Sequence, residues 1–157
     1  MAAPVATARI DPTGIKLPDG YRALITFEDD TNISFWEKDV KPTGIDGGEL
    51  IPQTTMHNDL VETFYPQSLY RQTEGTSKVA YDPAVITQIM AIINVNQVIT
   101  VTYRDGTTDA FWGCLRMFER DALQKGTQPE ATVTFSPTMM DDAGAEQVLV
   151  NVSVAGT

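Results

Sequence analysis

The sequence predicts one domain rich in β-structure, with a single α-helix packed on a sheet. Several segments alternate apolar and polar residues, as half-buried strands do. Only residues 83–94 place apolar side chains at helical spacing over a sustained stretch. The 157 residues, 42% of them hydrophobic, suffice for one core and do not favour two, so residues 1–157 are treated as a single domain.

The first forty residues predict an arm followed by a hairpin. Residues 1–20 are small and polar and contain Pro and Gly, which indicates an N-terminal arm. The segments "YRALITF" (21–27) and "ISFWEKDV" (33–40) have the composition of strands, and "EDDTN" between them is typical of a turn. We therefore expect these two strands to pair with each other.

Residues 41–69 form a long inter-strand loop in this prediction. The segment contains six Gly and Pro residues, and connections of this length in a compact domain are usually functional, disordered or ordered on a neighbour. All three alternatives stay open at this point. Within the loop, "ELIPQTTM" predicts a short strand, and Phe64 and Tyr65 are expected to be exposed.

The helix follows a strand centred on "SKVAY" (77–81). Asp82 is suited to accept a hydrogen bond from a free amide of the first turn, and Pro83 fits the first helical position, where no N–H is needed. One buried stripe is expected, made of Val85, Ile86, Ile89, Met90, Ile92 and Ile93.

The segment "VITVTYRDGTTDAFWGC" (98–114) predicts a hairpin with Asp105-Gly106 as a two-residue turn. This register pairs Val101 with Ala110 and Ile99 with Trp112. The face predicted for the core carries Ile99, Val101, Tyr103, Ala110, Trp112 and Cys114. The face predicted for water or a partner carries Val98, Thr100, Thr102, Asp109, Phe111 and Gly113.

The C-terminal part predicts two further strands. Residues 116–126 are a charged connector of uncertain structure. "ATVTF" (131–135) predicts a strand with Ala131, Val133 and Phe135 on one side, and "QVLVNVSVA" (147–155) a last alternating strand.

Charge and composition exclude several classes of protein. A net charge of −10 argues against binding nucleic acid by neutralising phosphates, although it equally suits simple solubility or a surface that DNA slides past. The single cysteine excludes an intramolecular disulfide. Neither a signal peptide nor a membrane span is evident, so we expect a soluble protein made in a cytoplasm.

The residues offer little support for catalysis. His57 is the only histidine, so a multi-histidine metal site is excluded, and a Cys114–His57 pair would use a thiol expected in the core. The acidic clusters at 28–30 and 140–142 lack the spacing of a calcium loop and are better interpreted as turn carboxylates. Trp36, Trp112 and Phe111 suit either ligand stacking or core and interface packing. No enzyme activity, cofactor or metal is expected.

Two long segments resemble the major tail tube proteins of long-tailed bacteriophages. They are "VAYDPAVITQIMAIINVNQVITVTYRDGTTDAFWGCLRMFE" and "GTQPEATVTFSPTMMDDAGAE", and the Thr-Thr-Met-x-Asn piece at 54–58 fits as well. The match covers roughly residues 30–148, and the order and spacing of several motifs carry it. Arg104 stands where relatives more often have Pro, and Cys114 where they have a bulky aromatic residue.

The resemblance implies an antiparallel β-sandwich or barrel-like fold with a flanking helix. It also implies a virion protein whose hexameric rings stack into a tube that conducts tape-measure protein and then DNA, and that meets tail terminator and baseplate proteins. On that basis the 41–69 loop is a candidate ring-stacking element, with Ile45, Leu50, His57, Phe64 and Tyr65. The candidate lumen face carries Thr100, Thr102 and Asp109.

Two alternatives stay open beside the interpretation as a tail tube protein. One is a tail terminator, completion or baseplate protein on a related fold, which would form a ring and stop. The other is a monomeric β-sandwich module that binds carbohydrate on Trp36 or Trp112.

Overall fold

A single antiparallel sheet of seven strands organises the protein. The structure is a computed structural model that describes residues 23–29 and 35–153, so the predicted arm at 1–20 lies outside the described residues. In the described residues the strands of this sheet are β1 Leu24–Phe27, β2 Phe35–Lys41, β7 Gly75–Tyr81, β8 Gln97–Thr102, β9 Thr108–Arg120, β10 Glu130–Pro137 and β11 Val150–Val152. Four short strands form two separate pairs: β3 Ile45–Asp46 with β6 Arg71–Gln72, and β4 Ile51–Pro52 with β5 Phe64–Tyr65. The helix α1 is Ile86–Ile92, preceded by a 3₁₀ turn at Pro83–Val85.

The large sheet curls into a half-barrel. Its strand order is β1-β8-β9-β10-β7-β2, and β11 pairs with the first part of β9. The register shifts between Glu37 and Asp39 in β2 and again between Thr134 and Phe135 in β10, and such bulges increase local twist. The mainly β, barrel-like fold class with one flanking helix is therefore confirmed.

The predicted pairing of the first two strands is wrong. β1 pairs with β8, from Leu24 opposite Thr102 to Phe27 opposite Ile99. This pairing sets Ile25 and Phe27 beside the buried Val101 and Ile99 on one face. The free energy gained by burying these apolar faces together outweighs the advantage of a local hairpin, whose short connection would cost less chain entropy.

The helix prediction is confirmed, with a narrower buried stripe. Asp82 accepts a hydrogen bond from the backbone N–H of Ala84 at 3.0 Å. Val85, Ile89 and Ile92 are buried, whereas Met90 is 72% exposed. The helix has only seven residues and Ile93 is already extended, so too few turns form to bury the whole predicted stripe.

The hairpin of β8 and β9 forms with a register one residue away from the predicted one. Val101 lies opposite Asp109 and Ile99 opposite Phe111. The turn has three residues, because Tyr103 N–H donates to the Thr107 carbonyl at 2.9 Å and Gly106 adopts a positive φ of 90°. A three-residue loop ending in a left-handed Gly is the other common solution for this sequence.

The shifted register exchanges the two faces of β9. Phe111 and Leu115 are buried, while Trp112 and Cys114 lie half-buried on the opposite face. Phe111 stacks against Phe135 with ring centroids 6.0 Å apart. The prediction that Trp112 and Cys114 face the core is therefore wrong, since a one-residue slip moves every side chain of a strand to the other side.

The C-terminal strands agree with the prediction in part. Ala131, Val133 and Phe135 are fully buried on β10, as predicted. The charged segment from residue 116 continues β9 to Arg120, and residues 121–129 then turn into β10. The last strand is shorter than predicted and comprises Val150–Val152; residues 154–155 lie outside the described residues.

Candidate functional site

The predicted 41–69 loop is an ordered β-ribbon, which we define as residues 44–73. It continues the β2–β7 hairpin beyond the sheet. Thr73 N–H donates to the Gly44 carbonyl at 2.8 Å, Ile45 pairs with Gln72, and Ile51 pairs with Tyr65. The chain therefore goes out and returns as two antiparallel strands, instead of crossing the surface as an irregular loop.

Side-chain hydrogen bonds hold the two ends of the ribbon. At its base, Arg71 donates from Nε and Nη2 to Asp46 Oδ2 at 3.2 and 3.1 Å. The Gly48 backbone N–H and this guanidinium lower the pKa of the Asp46 carboxyl. At its far end, Asn58 Oδ1 accepts from Thr55 N–H at 3.1 Å, and Asn58 Nδ2 donates to the Val61 carbonyl at 3.0 Å. The Thr-Thr-Met-x-Asn piece is thus a closed turn.

The ribbon exposes an unusual amount of apolar surface. Opposite residues share a face, so Ile51 with Tyr65 and Pro52 with Phe64 make both faces of the ribbon apolar. A two-stranded ribbon has no core of its own. Its ten large apolar side chains, each at least 44% exposed, are half of those exposed in the described residues: Ile45, Leu50, Ile51, Met56, Leu60, Val61, Phe64, Tyr65, Leu69 and Tyr70. Exposed apolar surface on this scale is typical of interaction sites.

The ribbon is also acidic. Between residues 45 and 70 the chain has Asp46, Glu49, Asp59 and Glu62 but no Lys or Arg. Asp46 is neutralised by Arg71, while the other three carboxylates have no hydrogen bond or ion pair within the described part of the chain. The ribbon therefore presents apolar side chains together with uncompensated negative charge.

All five residues predicted for ring stacking lie on the ribbon and are exposed: Ile45, Leu50, His57, Phe64 and Tyr65. Their role in stacking stays a prediction. Sequence reasoning did not single out Met56, Leu60, Val61, Leu69 and Tyr70, which are equally exposed. The available signal was their density in a segment that is otherwise polar and rich in Gly and Pro.

The three residues predicted for a lumen face do not share a face. Thr100 and Thr102 lie on the outer face of β8, beside Thr26 of β1 and Thr108 of β9, and around the hairpin this hydroxyl-rich face carries no charge as far as Cys114. Asp109 lies on the opposite face, across from Val101, because of the shifted register. Its carboxylate accepts a hydrogen bond from Tyr103 O–H at 2.7 Å, and burial together with this carboxylate raises the pKa of Tyr103.

The candidate catalytic and ligand-binding groups are dispersed. Within residues 23–29 and 35–153, no group of three or more His, Cys, Asp or Glu side chains could hold a metal ion. Burial raises the pKa of the Cys114 thiol, which lies on β9, whereas His57 is exposed on the ribbon. Asp141 accepts two backbone N–H bonds within its own turn, from Ala143 and Ala145, both at 2.9 Å. Those bonds and one from Gln147 lower the pKa of Asp141.

The aromatic residues considered for ligand stacking also lie apart. Trp36 on β2 is 62% exposed, Trp112 on β9 is half-buried, and Phe111 is in the core and unavailable to a ligand. Over the described ranges, no helix has the length and apolar character needed to cross a membrane.

Comparison with known proteins shows the fold. No protein-family model matches this sequence, and no curated protein matches it either. Among solved structures, the chain is similar to one in the cryo-EM structure of the anti-feeding prophage (AFP) baseplate, 6-fold symmetrised. The TM-score is 0.53 at 11% sequence identity, and the match covers 85% of this chain and 92% of that one. At this identity the likeness establishes a shared architecture.

Proposed function

We propose that this protein is a structural subunit of a phage tail or a phage-derived injection apparatus, and that it assembles with copies of itself through the ribbon. The observation that carries the proposal is the ribbon, an ordered element with ten exposed apolar side chains. The fold neighbour, which is part of a 6-fold symmetrised baseplate structure, supports the same class of assembly.

The finer proposal is a hexameric ring that stacks into a tail tube. The ribbon of each subunit reaches the next ring, and repetition of this head-to-tail contact builds an open filament. The uncharged hydroxyl face with Thr100 and Thr102 is the candidate wall of the lumen, past which tape-measure protein and then DNA would move. Together with the net charge of −10, such a wall offers phosphate groups no positive charge to bind.

A baseplate or terminator component is the second candidate. The baseplate origin of the fold neighbour favours it. Such a protein forms one ring, or a short stack of fixed height, whereas a tube subunit continues to add rings as concentration rises. The length distribution of the assemblies therefore separates the two candidates.

Removal of the ribbon tests the proposal directly. Replacing residues 47–70 by Asn-Gly closes the ribbon with a two-residue turn after the Asp46–Arg71 pair. All of the removed residues except Asn58 are exposed, so the sheet should keep its stability. Negative-stain electron microscopy and analytical ultracentrifugation of the wild type should show rings or tubes, and the shortened variant should remain monomeric.

A point-substitution pair refines this test. Leu60→Ser and Leu69→Ser together remove two apolar side chains that are 93% and 83% exposed, and should weaken assembly without changing thermal stability. Met90→Ser, on the helix at 72% exposure, is the matched control and should assemble normally. Tubes of normal length from the shortened variant would contradict the proposal.

A further inference from the structure

We infer that the ribbon of one copy docks on the β9–β10 end of the next copy, and that ion pairs between ribbon carboxylates and two cations of that end select this contact. The receiving end is defined here as residues 120–129 together with Trp36. The inference rests on the proposed function, since it names the partner surface of the ribbon.

The ribbon and the receiving end lie at opposite ends of the sheet. The ribbon leaves the sheet where β2 ends and β7 begins, next to Phe135 of β10, which is paired with Gly75. At the other end of the same strands, Ala131 pairs with Arg120 and Glu130 with Ala80. A translation along the strands therefore brings the ribbon of one copy to the receiving end of another.

Local ion pairs leave the receiving end with available positive charge. Lys78 Nζ lies 3.3 Å from Glu130 Oε2 and 3.4 Å from Asp121 Oδ2, and Lys38 also pairs with Glu130. These contacts neutralise the two carboxylates nearest the turn. Glu119 precedes Arg120 on β9, so it lies on the face of the sheet that carries Lys78 and Trp36, while Arg120 lies on the other face, at the edge of the core.

Arg120 and Lys125 are the unpaired cations at this end, whereas Lys41, also exposed and without an ion pair among the described residues, lies at the ribbon end of β2. Arg120 and Lys125 are both exposed, and neither has a carboxylate partner among the described residues. By contrast, Arg71 and Arg116 are already paired within the chain, with Asp46 and Glu74. Two available cations thus stand at the end of the sheet opposite the three uncompensated carboxylates of the ribbon.

The overall charge makes this distribution consequential. Copies that each carry a charge of −10 repel one another in most orientations. An approach that brings Glu49, Asp59 and Glu62 towards Arg120 and Lys125 replaces repulsion with attraction, and complementary charges suppress wrong pairings and set register. The charge pattern therefore selects the head-to-tail orientation.

The receiving end also has apolar surface for the ribbon. Leu123 in the turn is 73% exposed and Trp36 on β2 is 62% exposed. Trp36 lies opposite Ala80, which is paired on its other side with Glu130, so the indole stands beside the ion-pair cluster. An exposed tryptophan within a charged rim is a frequent energetic centre of interfaces.

Charge reversal with rescue tests the inference on the full-length protein. The ribbon-reversed variant carries Asp59→Lys and Glu62→Lys, the end-reversed variant carries Arg120→Glu and Lys125→Glu, and a third variant combines all four. Each one-sided reversal should raise the critical concentration for assembly by about tenfold, and the combined variant should return it close to the wild-type value. Asp29→Lys with Glu146→Lys, two exposed sites elsewhere, reproduces the ribbon-reversed change in net charge and is the control.

The outcomes separate the inference from the proposed function. If the wild type does not self-associate at any concentration, both are overturned. If it assembles and the one-sided reversals behave like the control, the docking inference alone is overturned. Failure of the combined variant to recover, with far-UV circular dichroism and thermal unfolding unchanged, also overturns it, because direct pairing requires rescue.

Discussion

The backbone N–H of Ile25 donates a hydrogen bond of 3.0 Å to Glu37 Oε1. This bond joins β1 to β2, the strands at the two ends of the sheet order. Glu37 lies opposite the buried Val79, directly before the bulge in β2. An edge strand normally leaves unpaired N–H groups that invite other chains, and here a carboxylate satisfies one of them.

Loss of the Glu37 carboxylate should destabilise the fold. Glu37→Ala leaves the Ile25 amide without its acceptor, and the free energy of unfolding should fall by about 1–2 kcal/mol in urea titrations. Glu37→Gln keeps an acceptor oxygen and should lose less. Amide exchange at Ile25 should accelerate in the alanine variant only; equal effects of both substitutions would show that the hydrogen bond does not close the edge.

The register of the β8–β9 hairpin predicts unequal costs for two neighbouring aromatic residues. Phe111 is buried against Phe135, so Phe111→Ala should lower the free energy of unfolding by about 3–5 kcal/mol. Trp112 is only half-buried on the other face, and Trp112→Ala should cost clearly less. The reverse order would mean that the two-residue turn is the correct one.

That register shows where sequence reasoning was sufficient and where it was not. Alternation on β8 identified Ile99 and Val101 as core residues, because a period of two leaves only two choices. The faces of β9 depended on a single residue in the turn. Asp105-Gly106 is compatible with a two-residue turn and with a three-residue turn in which only Gly106 has positive φ. The burial of Phe111 decides between them, and burial is a tertiary property.

The sequence did not predict the ribbon, for a different reason. Its paired segments, such as Ile45–Asp46 and Ile51–Pro52, have only two residues each and cannot display a period. It is recognisable only from pairs distant in sequence, as when Ile45 meets Gln72. The exposed apolar residues were visible, but whether they belong to a disordered loop or an ordered arm depends on those pairs.

Gly75 at the base of the ribbon should tolerate no side chain. A Cβ at this position would overlap the ring of Phe135 and lie 2.9 Å from the Lys41 carbonyl oxygen. Gly75→Ala should therefore lower the free energy of unfolding by about 1–3 kcal/mol, since the core must shift to accept the methyl group. Gly47→Ala, with no atom within 4 Å of its Cβ, is the control and should be close to neutral.

The ion-pair cluster at the receiving end should make stability depend on pH at both extremes. Hydrogen bonds from Lys38 and then Lys78 lower the pKa of Glu130 from 4.5, so its contribution is complete above pH 4.5 and is lost as pH falls through the folded pKa. Glu130 and then Asp121 raise the pKa of Lys78 from 10.5, so the stability that Lys78 contributes is complete below pH 10.5 and is lost as pH rises further.

The thermal midpoints of wild type and Glu130→Gln should differ by a constant amount between these two pH limits and converge outside them. A difference that continues to change near neutral pH would assign the effect to other groups.

The turn at the far end of the ribbon should matter for assembly more than for folding. Asn58 Oδ1 accepts from Thr55 N–H and its Nδ2 donates to the Val61 carbonyl, so Asn58→Ala removes both bonds at once. Since residues 54–63 are exposed apart from Asn58, the thermal midpoint should stay unchanged while amide exchange across these residues accelerates. A loosened tip must be ordered again when it docks, and that entropic cost should raise the critical concentration for assembly.

Asp59→Ala is the control for this prediction. Asp59 is one residue away and has no side-chain hydrogen bond among the described residues, so its loss should leave amide exchange at the turn unaltered. Unchanged exchange in Asn58→Ala would show that backbone hydrogen bonds alone hold the turn. The Asn58 side chain would then not be what orders the tip before it docks.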